Sequence, residues 1–395
     1  MPAPDPLGAA LDAALTGEPV GIAVSGGSDS MALLVTGIAQ GRTLRAVTVD
    51  HGLRPEAAEE ADQVAAFCDG AEVPHDTLQL HLEDGADLQA RARQARYAAL
   101  TEWARAHDLP VVLLGHTADD VAETLLMRLA RGTGIDGLAR MPARSGTAPT
   151  FVRPFLDLTR QRLRDHLTDL GIGWIEDPSN DDSRFERVRI RQHMQALDLD
   201  PLPLARSASA LAEASRSLDL RAHDLAQCNL SVDGPDVLMP LDAVRHLLET
   251  EREQLRRLLA GAMAWIADRP RGPDLARLLG ALEGEDRKWT LAGCLGTRER
   301  DALRLTREAG TCPPPELGAD IWDRWHIDGP VSPTTSVGAL GEDIARTPWR
   351  ESGLPRASLL ATPAIREQGE LIAAPLAGMA NGYGARLRGA PKPFT

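Results

Sequence analysis

The first half of the chain alternates short apolar runs with segments whose apolar positions recur at helical spacing. The apolar runs predict strands and the amphipathic segments predict helices. The predicted strands are 20–24, 44–49, 76–80 and 111–114, and the predicted helices are 31–39, 56–68, 88–107, 119–131 and 159–170. This alternation is typical of a parallel sheet with helices on both faces. The predicted fold class is therefore α/β with a doubly wound parallel sheet, whose ligands lie at the carboxyl ends of the strands.

Two proline-rich segments divide the rest of the chain. The first is Asp200–Pro203 and the second is Thr311–Pro315, and both read as boundaries. Between them, helical spacing covers 204–225 and 240–268, and short strands are predicted at 289–294 and 302–306. We therefore expect three domains over residues 1–200, 201–310 and 311–395, the second mostly helical and the third small and mixed α/β.

The composition is that of an ordinary globular protein. Hydrophobic residues make up 43% and charged residues 25% of the 395 residues, which argues against extensive disorder. No stretch approaches the roughly 20 apolar residues that cross a bilayer, and the first residues lack the pattern of a signal peptide. The four cysteines are far apart and form no C-x-x-C pair, so a zinc ribbon or a disulfide scaffold is not expected. These features predict a cytoplasmic protein without a membrane partner.

The net charge of −14 is not distributed evenly along the chain. Residues 1–89 carry about −12 of it, so the chain from residue 90 onward is close to neutral. Lysine occurs only at Lys288 and Lys392, and every other basic side chain except histidine is arginine. An arginine-rich surface can therefore lie in the later part of the chain, although arginine is also the usual cation of a GC-rich coding sequence.

The strongest local signal is the sequence SGGSDS between the first predicted strand and its helix. Two glycines allow a sharp turn close to a ligand, and the amide groups at the helix start face an anion. The segment therefore predicts a phosphate-binding loop, against the alternative of a glycine turn capped by Ser and Asp. A Walker A loop is excluded because no lysine stands in such a context. The loop residues are Ser25, Gly26, Gly27, Ser28, Asp29 and Ser30.

Carboxylates form a second signal at the same predicted sheet edge. Asp29 would repel phosphates unless a cation intervenes, so Mg²⁺ is predicted there, with a helix N-cap as the alternative. After the fourth strand, Asp119, Asp120 and Glu123 fall within one third of a helix circumference. Acids at a helix start are also favoured by the helix dipole, but the edge shared with Asp29 favours a metal or nucleotide site. We interpret His116 as an orienting group.

Two further segments carry weaker signals. The segment Asp50–Arg54 closes the second strand, where a nucleotide fold can meet adenine or ribose. Taken by itself, an ordinary turn ending in Gly52 is the preferred interpretation. Residues 132–137 match G-x-G-x-x-G but follow a helix rather than a strand, so a dinucleotide site is excluded. A mobile loop flanked by arginines is the prediction for this segment.

Taken together, these segments resemble the N-type ATP pyrophosphatases, or PP-loop enzymes, whose signature is SGGxDS. Within that superfamily the chain is most similar to the tRNA(Ile)-lysidine synthetases. The strings that carry the resemblance are AVTVDHGLR (46–54), ARQARYAAL (92–100), GHTADDVAETLLMRLARGTGIDGL (115–138), RPFLDLTR (153–160), WIEDPSN (174–180), TLAGC (290–294) and LRLTRE (303–308). Coverage is strong over about residues 18–195 and looser afterwards.

The resemblance implies an enzyme that joins L-lysine to C2 of the wobble cytidine of a tRNA(Ile) with a CAU anticodon. ATP activates the base as an O-adenylate with release of pyrophosphate, and lysine then displaces AMP. A protein carboxylate would take the proton of the lysine ammonium, and the residues leave open which one. Two alternatives remain at this point: another PP-loop tRNA-modifying enzyme, such as a tRNA thiolase, or an inactive nucleotide-binding module.

The resemblance also implies roles for particular residues. The implied catalytic residues are Asp29, Asp119 and Asp120, with Asp29 and Asp120 as Mg²⁺ ligands. The implied ATP-binding residues are Ser25, Gly26, Gly27, Ser28, Asp29, Ser30, Asp50, His51, Gly115 and His116. The implied contacts with tRNA or substrate are Arg96, Arg128, Arg131, Arg153 and Arg191. The second and third domains would contact tRNA, and a homodimer is expected as a possible assembly.

Overall fold

The computed structural model describes residues 5–15, 17, 19–50, 52, 56–80, 88–176, 182–284 and 286–388. It divides into two compact units, residues 1–214 and residues 215–395. Each unit contains its own clusters of buried apolar side chains. The division into three domains with boundaries near residues 200 and 310 stays a prediction.

The first unit is a sheet flanked by helices. Its strands are β1 Val20–Ala23, β2 Leu44–Asp50, β3 His75–Gln79, β4 Val111–Leu114, β5 Arg144–Ser145 and β6 Thr150–Val152. Its helices are α1 Pro6–Ala14, α2 Ser28–Ala39, α3 Glu56–Gly70, α4 Leu88–Ala106, α5 Ala118–Ala130, α6 Ile135–Leu138, α7 Arg160–Asp169 and α8 Glu186–Ala196. A long helix, α9 Pro201–Asn229, begins in the first unit and ends in the second.

The order of strands in the sheet is β3-β2-β1-β4-β6-β5. All neighbours pair in parallel except β5, which is antiparallel to β6 at the edge. From β1 the chain moves outward to β2 and β3, and it then returns to place β4 on the other side of β1. Because the connections leave β1 and β4 in opposite directions, a crevice opens at the carboxyl ends of these two strands.

Burial explains why β1 and β4 lie in the middle of the sheet. Every residue of both strands is buried, as expected for strands covered on both faces. On one face, apolar side chains of α1, α2, α3 and α7 pack against the sheet in a single cluster. On the other face, Leu100 and Trp103 of α4 form a second cluster with Leu114. The predicted doubly wound α/β sheet with helices on both faces is thereby confirmed.

One loop of the first unit differs from its prediction. Residues 132–137, expected to form a mobile loop, include the one-turn helix α6. The Arg128 guanidinium donates to the Gly137 carbonyl at 2.8 Å, and the Thr133 hydroxyl donates to the Arg128 carbonyl at 3.1 Å. The prediction of a loop was therefore wrong for residues 135–137, because these bonds, which the residue pattern does not show, hold the segment against α5. Its mobility stays a prediction.

The second unit contains three antiparallel sheets. Its strands are β7 Ser231–Asp233, β8 Asp236–Pro240, β9 Lys288–Leu291, β10 Cys294–Arg298, β11 Ala302–Arg307, β12 Glu316–Leu317, β13 Ile321–Trp322, β14 Trp325–Asp328, β15 Thr335–Ala339, β16 Pro363–Glu367, β17 Glu370–Ala373 and β18 Gly384–Leu387. Its helices are α10 Leu241–Thr250, α11 Arg252–Ile266, α12 Gly272–Glu283 and α13 Arg356–Leu360. Short 3₁₀ helices are Ala309–Thr311, Gly341–Arg346, Trp349–Ser352 and Pro375–Ala377.

The sheets of the second unit have the orders β7-β8-β11-β10-β9, β12-β15-β16-β17 and β13-β14-β18. Helices α10, α11 and α12 pack their apolar faces on the first of these sheets. Asp236 of β8 is fully buried, where it accepts hydrogen bonds from the Arg304 guanidinium at 2.8 Å and from the Ser358 hydroxyl of α13. Burial raises the pKa of Asp236, so these donors are needed to hold its charge.

One prediction for this unit was wrong and another was confirmed with a difference in detail. The strand expected at 289–294 is a hairpin, because Ala292 and Gly293 have φ of 47° and 70° and form the two-residue turn between β9 and β10. The helical segment expected at 240–268 is confirmed as the two helices α10 and α11, which are separated at Glu251, whose φ of −139° and ψ of 54° leave the helical region. The Glu251 carboxylate accepts a bond from Arg221 at 2.7 Å. Across both units, none of the described helices is both long and apolar enough to span a lipid bilayer.

Candidate active site

The loop between β1 and α2 needs glycine at its first turn. Gly26 has a φ of 83°, and a Cβ atom there would lie 2.4 Å from Cδ1 of Ile175. The Ile175 amide donates to the Gly26 carbonyl at 2.9 Å, so the loop and the segment after α7 are in direct contact. A side chain at this position would have to separate the two segments.

Serine side chains hold the loop in shape. The Ser25 amide donates to the Ser30 hydroxyl at 3.1 Å, and that hydroxyl donates to the Gly27 carbonyl at 3.0 Å. The Ser28 hydroxyl donates to the Asp29 carboxylate at 3.1 Å. Since α2 begins at Ser28, its first amide groups have no acceptor within their own helix and are free to bind an anion.

This loop forms one wall of a cavity of about 690 Å³ in the first unit. The adjoining wall follows β4, where Gly115 packs closely against the start of α2, since a Cβ atom would lie 3.0 Å from backbone atoms of Asp29 and Ser30. His116 and Asp120 follow on the same wall. The predicted residues that line the cavity are Ser25, Gly27, Ser28, Asp29, Ser30, Arg96, Gly115, His116, Asp120 and Arg191.

An arginine at the start of α7 lies among the carboxylates of this cavity. The Nε atom of Arg160 is 3.0 Å from Asp29, and its terminal nitrogens are 3.6 Å from Asp120 and 3.5 Å from Glu123. The Arg160 amide also donates to the Asp119 carboxylate at 2.8 Å. Thus one residue contacts every carboxylate that the sequence placed at this edge of the sheet.

Glu123 is the most deeply buried of these acids, with only 2% of its side chain exposed. The Arg191 guanidinium lies 2.9 Å from one of its oxygens and that of Arg187 lies 3.3 Å from the other. Three guanidinium groups therefore surround a buried carboxylate, and the whole arrangement is a connected ion-pair network.

The electrostatic environment shifts several titration equilibria. Burial raises the pKa of Asp29 above its usual value, and the opposing effect of Arg160 does not cancel the rise. Burial would also raise the pKa of Asp120, but Arg160, His116 and Arg187 outweigh it and hold that pKa below its usual range. Burial lowers the pKa of His116 to about 4, so its imidazole is neutral at neutral pH.

Asp120 also has a local structural role. Its carboxylate accepts the Thr117 amide at 2.9 Å and the Thr117 hydroxyl at 3.1 Å, which is the pattern of a helix cap. The same oxygen accepts both bonds, whereas the other oxygen faces Arg160 and Arg187. The capping interpretation is therefore confirmed, and capping fixes the orientation of this carboxylate beside the cavity. A metal or nucleotide role for Asp120 stays a prediction.

Other predicted site residues lie elsewhere. Asp119 lines a neighbouring cavity of about 540 Å³, which also includes Glu123 and Asp198. The Asp50 carboxylate accepts the Gly52 amide at 2.8 Å, as expected for a turn, and it is not among the described residues that line the main cavity. His51 lies outside the described residues.

The predicted arginine contacts separate into two groups. Arg96 and Arg191 line the cavity, and burial lowers the pKa of Arg96. In contrast, Arg153 is buried and donates to the Pro142 carbonyl and the Tyr97 hydroxyl. Arg128 bonds to the carbonyl of α6 described above, and exposed Arg131 pairs with the Glu186 carboxylate.

Sequence reasoning missed Arg160, Arg164 and Glu176, all of which line the cavity. A signal for the arginines was present, because α7 begins with the sequence RQRLR. Cations at a helix amino terminus oppose the helix dipole, so three arginines in that position are unusual without a functional reason. No comparable signal pointed to Glu176.

The donor set is suitable for Mg²⁺ only together with a substrate. Among the described residues, no group of three or more His, Cys, Asp or Glu side chains could hold a metal ion. Asp29 and Asp120 both face the cavity, and Mg²⁺ is commonly bound by one or two carboxylates plus phosphate oxygens. The residues present therefore fit an ion that arrives with a nucleotide.

Comparison with known proteins identifies the family. Residues 8–197 match the PP-loop domain family. The chain is 42% identical over 397 residues to a tRNA(Ile)-lysidine synthase of Ruegeria pomeroyi, covering 95% of this chain and 92% of that protein. It is 42% identical over 294 residues to the protein of the same name from Novosphingobium aromaticivorans, covering 72% of this chain and 88% of that protein.

Solved structures include a more distant neighbour. The U34-tRNA thiolase NcsA of Methanococcus maripaludis is similar with a TM-score of 0.45 and 15% identity, over 53% of this chain and 76% of that chain. The 42% identity to two proteins named tRNA(Ile)-lysidine synthase does not favour the thiolase alternative or the inactive module. With a PP-loop domain over residues 8–197 and a relative that is 42% identical over 95% of the sequence, the chain belongs to the tRNA(Ile)-lysidine synthase family.

Proposed function

We propose that this protein ligates L-lysine to C2 of the wobble cytidine, position 34, of a tRNA(Ile) with a CAU anticodon, with conversion of ATP to AMP and pyrophosphate. One observation carries the proposal. A lysine-free Gly-Ser loop and two carboxylates, Asp29 and Asp120, line a single cavity in a chain of this family.

In the first step, the C2 oxygen of cytidine attacks the α-phosphorus of ATP, and the bond to the departing pyrophosphate breaks. The amides at the start of α2, with the hydroxyls of Ser25 and Ser28, bind the phosphate oxygens. Asp29 and Asp120 would hold a Mg²⁺ ion, which neutralises charge on the phosphates when bound. Asp120 suits this role better than Asp119, because it lines the same cavity as Asp29.

In the second step, the neutral ε-amine of lysine attacks C2, the bond from C2 to the adenylated oxygen breaks, and AMP leaves. The amine loses one proton in the process, and carboxylates near the cavity are the acceptors available to it. His116 is neutral because its pKa is lowered to about 4. It can therefore orient a substrate oxygen without adding a positive charge.

The cavity arginines support a nucleic-acid substrate in part. Arg96 and Arg191 line the cavity and can contact the substrate there, and exposed Arg131 can contact tRNA phosphates outside it. Arg153 is left out of the proposed contacts because it is buried and bonded within the unit. Arg128 remains a proposed contact, but one of its guanidinium nitrogens already donates to a carbonyl of α6, which leaves fewer donors for tRNA.

The direct test is the transfer of radiolabelled lysine to purified tRNA in the presence of ATP and Mg²⁺. We expect incorporation into tRNA(Ile) bearing CAU but not into tRNA(Met), with AMP and pyrophosphate as products. Asp29→Ala should lower transfer on the order of 100-fold or more, because it removes a proposed ligand of the Mg²⁺ ion that neutralises charge on the phosphates. Asp169→Ala, at an exposed acid on α7, is the matched control and should keep full transfer.

Three outcomes would reject the proposal. These are no lysine transfer by the wild-type protein, ADP in place of AMP, or near-normal transfer by a folded Asp29→Ala variant. A cytoplasmic location, a homodimer and tRNA contacts by residues beyond 200 are proposed alongside this function and need separate measurements.

A further inference from the structure

Arg164 of α7 lies next to the phosphate loop and forms an ion pair with Glu176. Its guanidinium donates to the two Glu176 oxygens at 3.0 and 3.2 Å, and its Nε atom is 3.5 Å from the Ser28 hydroxyl. The guanidinium also lies 5.8 Å from the ring of Trp174. Arg164 and Glu176 both line the cavity of which the phosphate loop forms one wall.

The cavity arginines differ in how firmly their partners hold them. Arg160 is shared among carboxylates whose side chains are at most 18% exposed, and Arg191 pairs with Glu123, which is 2% exposed. Glu176, by contrast, is 62% exposed. Exposed ion pairs contribute little to stability because water solvates both charges almost equally well. Arg164 can therefore leave its partner at much lower cost than Arg160 or Arg191.

The phosphate loop itself supplies no cation. The two lysines of the chain are at 288 and 392, outside residues 8–197 that match the PP-loop domain. Apart from the proposed Mg²⁺ ion, the loop therefore offers only amides and hydroxyls to compensate the charge of a departing pyrophosphate. Arginine binds phosphate through two parallel hydrogen bonds, and a guanidinium 3.5 Å from Ser28 is already next to the loop.

We propose that Arg164 is a phosphate-binding residue of this site, which exchanges the Glu176 carboxylate for the pyrophosphate portion of ATP. This inference rests on the proposed use of the loop as the ATP phosphate site. Glu176 acts as an internal competitor that occupies the guanidinium when no phosphate is bound. The Trp174 indole, which donates to Glu176 at 2.8 Å, holds the carboxylate near the loop in that state.

The exchange makes opposite predictions for the two partners. Removal of the Arg164 charge should weaken phosphate binding, whereas removal of the Glu176 charge should strengthen it because the competitor is lost. A purely structural ion pair would respond in the same direction to both changes. This difference in sign separates a ligand-exchange role from a role in holding the segment 174–176 against the loop.

The experiment is calorimetric titration of the full-length protein with inorganic pyrophosphate in the presence of Mg²⁺. For Arg164→Gln we expect binding about tenfold weaker, the low end for a hydrogen bond to a charged group. For Glu176→Gln we expect binding about two- to threefold tighter, as an exposed competitor allows. Arg164→Lys, which keeps the charge but not the planar fork, should fall between wild type and Arg164→Gln. Arg162→Gln, at an exposed position on the same helix, should bind like wild type.

Several results would overturn the inference: no pyrophosphate binding by the wild type, unchanged binding by Arg164→Gln, or weaker binding by Glu176→Gln. If Arg164→Gln does not fold, Arg164→Lys and Glu176→Gln still decide the question. The lysine-transfer assay is independent of this titration. If Arg164→Gln loses pyrophosphate binding but the wild type makes no lysidine, the inference stands and the proposed function is rejected. If the wild type makes lysidine but Arg164→Gln binds pyrophosphate normally, only the inference is rejected.

Discussion

Replacement of Arg160 by glutamine tests the central feature of the site, a single guanidinium among buried carboxylates. Arg160 contacts Asp29, Asp120 and Glu123, and its own side chain is only 16% exposed. Removing one partner of a buried ion pair typically costs about 3–5 kcal/mol, because the remaining charge is left without compensation. Arg187 and Arg191 still face Glu123, and Arg187 still faces Asp120, so the main loss falls on Asp29.

The pH dependence gives this prediction its sign. Burial already raises the pKa of Asp29, and the loss of Arg160 removes the largest effect that opposes the rise. In the variant, the folded protein would then hold protons at a pH where the unfolded chain has released them. Stability of the variant should therefore increase relative to wild type as the pH falls through the raised pKa of Asp29 toward the ordinary pKa of an aspartate.

The assay is urea unfolding of wild type, Arg160→Gln and Arg160→Lys at several pH values. Arg160→Lys keeps a charge without the fork and should lose less stability than Arg160→Gln. The control is Arg162→Gln, which is exposed on the same helix and should change stability by no more than about 0.5 kcal/mol. A loss in Arg160→Gln that is below about 0.5 kcal/mol, or that does not depend on pH, would refute the reasoning.

Three other predictions follow from the structure. Gly115→Ala should destabilise the first unit by about 1–3 kcal/mol and weaken ATP binding, because the new Cβ atom would lie 3.0 Å from the backbone at the start of α2. The control Gly173→Ala, which has open space around it, should have neither effect. The His116 imidazole should titrate near pH 4 by NMR. Between about pH 6.5 and pH 4 only the unfolded chain binds the proton of this residue, so the free energy of unfolding should fall as the pH falls through that range. A midpoint near 6.5 would contradict the burial argument. Arg304→Gln should cost the second unit about 3–5 kcal/mol in urea unfolding, because Asp236 stays buried without its cation, and a much smaller loss would show that Asp236 is protonated in the fold.

Much of the first unit was predictable from the pattern of apolar residues. Strands β1 and β4 are short apolar runs buried on both faces, and the amphipathic segments between strands are helices. The convergence of Asp29, Gly115 and Asp120 was also predictable, because the carboxyl ends of parallel strands meet at one edge of the sheet. These features depend on local periodicity and on one general rule of topology.

The rest depends on contacts between distant parts of the chain. No local pattern shows that Arg160 reaches Asp29, or that Arg153 turns inward to the Tyr97 hydroxyl. The turn at Ala292 was missed because alanine is not a usual residue at positive φ. In each of these cases tertiary packing decides the conformation, and the sequence carries at most a weak sign of it.

The long separation within the Arg160 network has a consequence for how the protein matures. Asp29 and Arg160 are 131 positions apart, so a nascent chain displays the acids well before the guanidinium that compensates them. Until α7 is synthesised and packed against the sheet, burial of those carboxylates is unfavourable, and the nucleotide-binding crevice does not form. Nucleotide affinity should accordingly arise late and all at once, and a saturating nucleotide should protect the amides of the entire first unit from hydrogen exchange instead of those of the loop alone.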